Sequence, residues 1–160
     1  MITIPKWVTI AYILILSITL GAALYAGAVV APVIFHSDLA LGDELLSHFQ
    51  EGLIMTKNFL KLSYLVDLTV LSVILYEGFR FKSFERDSVG LLSAVLVVLS
   101  GLLYSSYYIP QILELQAQGE EATQSKIFEN AHFASEIDFK LFAFALLVLI
   151  VRNIYRNMKD

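Results

Sequence analysis

The chain has 160 residues, 58% of them hydrophobic and 16% charged, with a mean hydropathy of +0.71 and no cysteine. Soluble domains are usually about 45–50% apolar and about 25% charged, so this composition excludes an ordinary soluble domain, and its apolar content excludes disorder. The lack of cysteine removes disulfides, thiolate metal sites, covalent c-type haem and thiol catalysis, and a net charge of −4 gives nucleic acid no basic surface.

In chain order, Val8 to Phe35 is the first charge-free run, 28 residues long. A bilayer needs about 20 such residues and a cleaved leader has an apolar core of only about 7–15, so the run reads as a span near 7–36, kinked by Pro32. Leu62 to Tyr76 is apolar apart from Asp67 and predicts a second helix near 55–79. Ser88 to Leu113 is charge-free over 26 residues and predicts a third near 88–111, closed by Y-S-S-Y-Y-I-P at 104–110 with Pro110 as its stop. Leu141 to Val151 is apolar over only 11 residues and reaches bilayer length by running back to Phe128, for a fourth helix near 128–154. Open sheets leave backbone groups unpaired in lipid. Residues 1–160 therefore read as one all-α integral membrane domain, a four-helix bundle.

Lys6, Arg80, Lys82, Arg86, Arg152, Arg156 and Lys159 share one predicted side with Glu77, Glu85, Asp87 and Asp160, for a net of +3. The other side, counting Asp67, has a net of −7. The positive-inside rule places both termini in the cytoplasm. Small residues at Ser17 and Gly21, and at Ala23, Gly27 and Ala31, recur every four positions and suit close helix packing; in Ala- and Gly-rich spans such spacing also arises by chance.

All three histidines, His36, His48 and His132, fall on the predicted outer side. Glu44 and His48 are four apart, and Glu129, His132 and Glu136 form E-x-x-H-x-x-x-E, so each set shares a helical face. Imidazole with carboxylate suits copper, zinc or iron, and Met55, seven after His48, could add a soft ligand. The bland alternative is a solvated rim whose carboxylates favour helix amino termini. In the second helix, Lys57, Lys61 and Tyr64 form a stripe that leads towards Asp67. A carboxyl inside a span should face protein or water, and Tyr104, Ser100 and Ser93 are its expected partners. This gives either a proton or cation path through Lys57, Lys61, Asp67 and Tyr104, or a packing hydrogen bond. No G-x-S-x-G, H-E-x-x-H, phosphate loop or G-x-G-x-x-G is present.

The A-P-V-I-F run at 31–35, Tyr107 with Pro110, and F-x-x-x-H-x-x-S at Phe128, His132 and Ser135 carry a resemblance over nearly the whole chain. It resembles small four-helix bacterial membrane proteins of unknown function, related to the eukaryotic TMEM-type protein of platinum-drug tolerance. More distantly, Gly21 to His36 is similar to helix 1 of CopD-type copper-resistance proteins and HemJ-type protoporphyrinogen oxidases. The latter resemblance implies b-type haem, although Ile10 to Leu20 lacks that family's histidine and Val33 follows Pro32 where it has a P-R pair. The reading that results is a bacterial inner-membrane protein whose periplasm-facing site, His132, Glu136, Glu129, His48 and His36, binds copper, zinc or iron. The alternatives are a haem-b redox protein and a cofactor-free assembly subunit; expected partners are the lipid bilayer and a homodimer or another membrane protein.

Overall fold

Apolar runs of this length pair their backbone internally, and a computed structural model, which describes residues 4–43, 45–82 and 87–158, shows them as helices, with no strand among the described residues. Four are long: α1 (Lys6–Phe35), α2 (His48–Lys82), α3 (Ser88–Ala117) and α4 (Lys126–Asn157). Short helices Ser37–Leu41 and Glu120–Thr123 sit in the connections at one end, here termed the loop end. The other is the termini end. By length and composition α1, α2 and α3 can cross a membrane, with hydropathies of 2.3, 1.7 and 2.0 in their best windows.

Each long helix buries one stripe at steps of three and four. In α1 it runs Thr9, Tyr12, Leu16, Thr19, Ala23 and Ala26; in α2, Leu62, Val66, Thr69, Val73, Tyr76 and Arg80. In α3 it runs Gly90, Ser93, Val97, Ser100 and Tyr104, and in α4 Asp138, Phe142, Ala145, Leu149 and Asn153. This repeat averages 3.5 residues and keeps a seam facing its neighbour. α3 lies along α4, α1 packs on α2 and α4, and α2 packs on α3. The opposite faces are apolar and exposed, for example Leu14 and Ile18, Leu71 and Leu75, Val95 and Leu99, Phe144 and Leu147. Such continuous apolar surface matches lipid, not water.

The small-residue positions divide. Ser17 and Gly21 are exposed, whereas Ala23 is buried and a methyl on Gly27 would meet the Phe139 ring at 3.5 Å. The closest approach is at Gly101, where an added Cβ would lie 2.5 Å from Val70 Cγ2.

One proline corrects the sequence reading. Pro110 does not stop α3, which continues to Ala117, and Pro32 lies within α1. In each case the turn before the proline widens to a π-turn, Ala26–Val30 and Tyr104–Tyr108. The Ala31 N–H donates to the Ala26 carbonyl and the Ile109 N–H to the Tyr104 carbonyl. A proline ring clashes with the carbonyl four residues back and has no N–H, and an inserted residue relieves the clash without ending the helix. α2 likewise begins at His48, about two turns before the expected start.

A buried polar network ties the helices together at the termini end. Glu77 accepts from Tyr12, from Asn153 at 2.8 Å and from Arg156 at 3.2 Å. Asp87 accepts from both Arg152, at 2.8 and 3.1 Å, and Arg156, at 3.3 Å. Tyr76 stacks on Tyr12 and shares a hydrogen bond with Thr9. Gly90 admits this arrangement, since a Cβ there would lie 2.8 Å from Asp87 Oδ2. Burial raises the Asp87 carboxyl, but the Arg152 hydrogen bond and the charges of Arg152 and Arg156 outweigh it and leave the group below its ordinary value.

Two outcomes follow. Gly101→Val should cost about 1–3 kcal/mol of stability through overpacking, read as a lower unfolding midpoint in detergent, whereas Gly21→Ala, with nothing within 4 Å of the new methyl, should not. Because the folded Asp87 carboxyl sits below its unfolded value, its stabilisation is full above about pH 4 and is lost as pH falls through the folded value. Asp87→Asn should weaken the protein at neutral pH and flatten that acid limb of a midpoint-against-pH curve.

A candidate ligand cavity at the loop end

The termini end keeps a cavity of about 310 Å³ lined by Glu77, Arg80, Asp87 and Arg156, and the loop end holds a larger one. This larger cavity, of about 770 Å³, lies between the four long helices. Its aromatic floor is Phe59, Tyr104 and Phe139, with ring centroids 5.3 to 6.3 Å apart. The Tyr104 hydroxyl donates to the Phe59 carbonyl at 2.9 Å. Leu24, Phe35, Phe49, Ile112 and Phe128 add further apolar wall. The π-turns border this space: after Tyr104 the buried seam of α3 skips to Ile109, Ile112 and Gln116, shifted by the extra residue.

Polar side chains line it as well. Gln116, on α3 beyond Pro110, is 7% exposed and donates through Nε2 to Thr56 Oγ1 at 2.9 Å. Its Oε1 is buried and has no partner. Both residues line the cavity. A buried orphan acceptor leaves a hydrogen-bonding demand for a ligand or water to meet.

The three histidines all line this cavity, as do Glu136 and Met55. Each histidine also has a local role. His36 Nδ1 lies 3.0 Å from the Pro32 carbonyl at the end of α1. His48 Nδ1 lies 3.3 Å from Glu51 Oε2, and Glu51 Oε1 accepts from both the Ser37 hydroxyl, at 2.7 Å, and the Ser37 N–H, which ties α2 to the segment after α1. His132 lies parallel to the Phe128 ring, 6.0 Å between centroids. Glu136 pairs with Lys140 at 2.6 Å, and Glu129 is exposed and outside the cavity lining. Among the described residues no three His, Cys, Asp or Glu side chains group closely enough to hold a metal. Glu44, the carboxylate of the Glu44–His48 pair, lies outside the described residues.

The path residues are not brought together. Lys57, Lys61, Tyr64 and Asp67 are exposed on the outward face of α2, while Tyr104 is buried in the cavity floor. Asp67 does not meet its expected partners, because the seam of α2 runs through Val66 and Thr69 and turns position 67 away. Ser93 instead donates to the Val89 carbonyl, and Ser100 faces Asp138 of α4.

Three functional candidates escaped the sequence reading. Glu51 is three residues after His48, and the spacing rule applied to Glu44 would have found it. Asp138 sits within the fourth predicted helix, in its polar half. Gln116 was hidden because the helix was stopped at Pro110.

No curated protein and no solved structure matches the chain, so the likeness to the TMEM-type, CopD-type and HemJ-type proteins rests on the residues quoted for it. The family profile described as a domain of unknown function, DUF4149, matches residues 14–121, from within α1 to just beyond α3, and the chain belongs to that family.

Proposed function

We propose that this is a multi-pass membrane protein that binds a small amphipathic ligand in the loop-end cavity. α4 completes a four-helix transmembrane bundle, with both termini in the cytoplasm of a bacterial cell and the cavity towards the outer side of the inner membrane. The charge division supports that orientation, and the burial of Asp138 on the side of α4 that packs against α3 supports counting α4 as a span. The single observation that carries the ligand reading is the orphaned Gln116 carbonyl oxygen in the wall of an otherwise largely apolar cavity. Cavities of about 300–1,000 Å³ with a few placed polar groups suit small-molecule ligands. The chemistry asks for an apolar body against Phe59, Phe139 and Phe128 and a hydroxyl or amine head that donates to Gln116.

A second reading keeps a transition metal, because His36, His48, His132 and Glu136 face one cavity. It requires the histidine side chains to leave their local partners and converge.

Lipid extraction and mass spectrometry of the purified protein test the first reading. A co-purifying amphipathic molecule should fall about tenfold in Gln116→Leu, the loss of one hydrogen bond worth about 1.4 kcal/mol. It should vanish in Gly52→Leu, which adds bulk beside Gln116. No co-purified molecule, or one indifferent to both changes, would overturn the reading. Elemental analysis and an absorption spectrum of the same preparation test the second. Stoichiometric metal lost in His132→Ala supports it, a metal-free sample sinks it, and a Soret band would point to haem instead.

A further inference from the structure

One buried ionisable group is used by neither the termini-end network nor the cavity. Asp138 lies on α4 where it packs against α3, and it is 8% exposed. Its Oδ2 is buried with no partner. Ser100 of α3 is the polar side chain it meets, and the Tyr108 phenol, at the end of the π-turn, faces it electrostatically. No cation pairs with it among the described residues. On its own helix the nearest charges, Glu136 and Lys140, pair with each other. α1 brings no charge between Lys6 and His36, and on α2 the charges nearest this level, Lys57, Lys61 and Asp67, are exposed on the outward face. Tyr108, within electrostatic reach of the carboxyl, also lines the cavity.

A carboxylate in an apolar interior without a cation neutralises by taking up a proton. We propose that Asp138 is a proton-binding site within the bundle, its carboxyl protonated at neutral pH and in exchange with the cavity past Tyr108. The Ser100 hydroxyl can donate to the carboxylate, which opposes proton uptake, but protonation removes the buried charge and lets the carboxyl O–H donate to Ser100 in turn. This site is independent of the ligand reading: it requires the carboxyl and an open cavity, not an occupant.

Infrared spectroscopy of the full-length protein in bilayer nanodiscs tests it, in an Asp67→Asn background that removes the exposed mid-helix carboxyl. At pH 7 the Asp67→Asn protein should show a protonated-carboxyl stretch that shifts in deuterium oxide and is missing from Asp67→Asn/Asp138→Asn. Identical spectra would overturn the proposal. A carboxylate band that responds to sodium would also overturn it, in favour of a metal-cation site. Tyr108→Phe should keep the band and slow its deuterium exchange at least severalfold; an unchanged rate would overturn the route past Tyr108. Should the Asp138→Asn chain not fold, carboxyl-¹³C aspartate in the Asp67→Asn protein gives the same reading without it. One aspartate still protonated at pH 7 is expected, and none would overturn the site.

Discussion

Backbone pairing is the constraint on which the rest of this structure depends. In an apolar medium no water receives an unpaired N–H or carbonyl, so a long helix cannot simply break where a proline falls. α1 and α3 each carry a proline well inside, and each answers it with a five-residue π-turn directly before the residue that precedes the proline. The helix survives and gains one residue. That residue shifts the buried stripe, so beyond Tyr104 α3 presents Ile109, Ile112 and Gln116 in a new register. The two turns border the same cavity, at the level where the regular packing of the termini half gives way.

The two ends consequently have opposite characters. Near the termini, the three- and four-residue spacing is unbroken, and hydrogen bonds and ion pairs join Glu77, Asp87, Arg152, Arg156 and Asn153, with Arg156 Nε left without a partner. Charges buried this way stabilise only when every partner is present, and they specify one arrangement of helix ends. Near the loops, the shifted seams leave space that the side chains do not fill, floored by three aromatic rings and holding an acceptor without a donor. The structure thus joins an ion-paired end to one with a larger, aromatic-floored cavity.

Legibility from the sequence followed the same division. Charge-free runs located α1 and α3, since length and hydropathy alone decide whether a segment can cross a bilayer. The histidines could be placed at one end by counting, and they do share one cavity. What could not be read was their separation. A spacing of three or four puts Glu129, His132 and Glu136 near one face, yet Glu136 turns to Lys140 and His132 to Phe128. Asp67 and Asp138 show the limit most clearly. Both are single aspartates within predicted helices, and the local sequence points the wrong way, since Asp67 lies in an apolar run and Asp138 in a polar one. One faces outward and the other is 8% exposed, because rotation of each helix is set by its neighbours.

The sequence by itself determined that this protein is helical and apolar enough for a membrane, and that its ionisable groups sort into two unlike ends. Those properties follow from composition and one-dimensional spacing. Tertiary structure alone decided which carboxyl is buried, which glutamine is left without a donor, and whether the prolines end or merely widen their helices. Each of those depends on how one helix is turned and seated against another, and that is fixed by contacts between residues far apart in the chain, such as Gly101 with Val70 and Gln116 with Thr56.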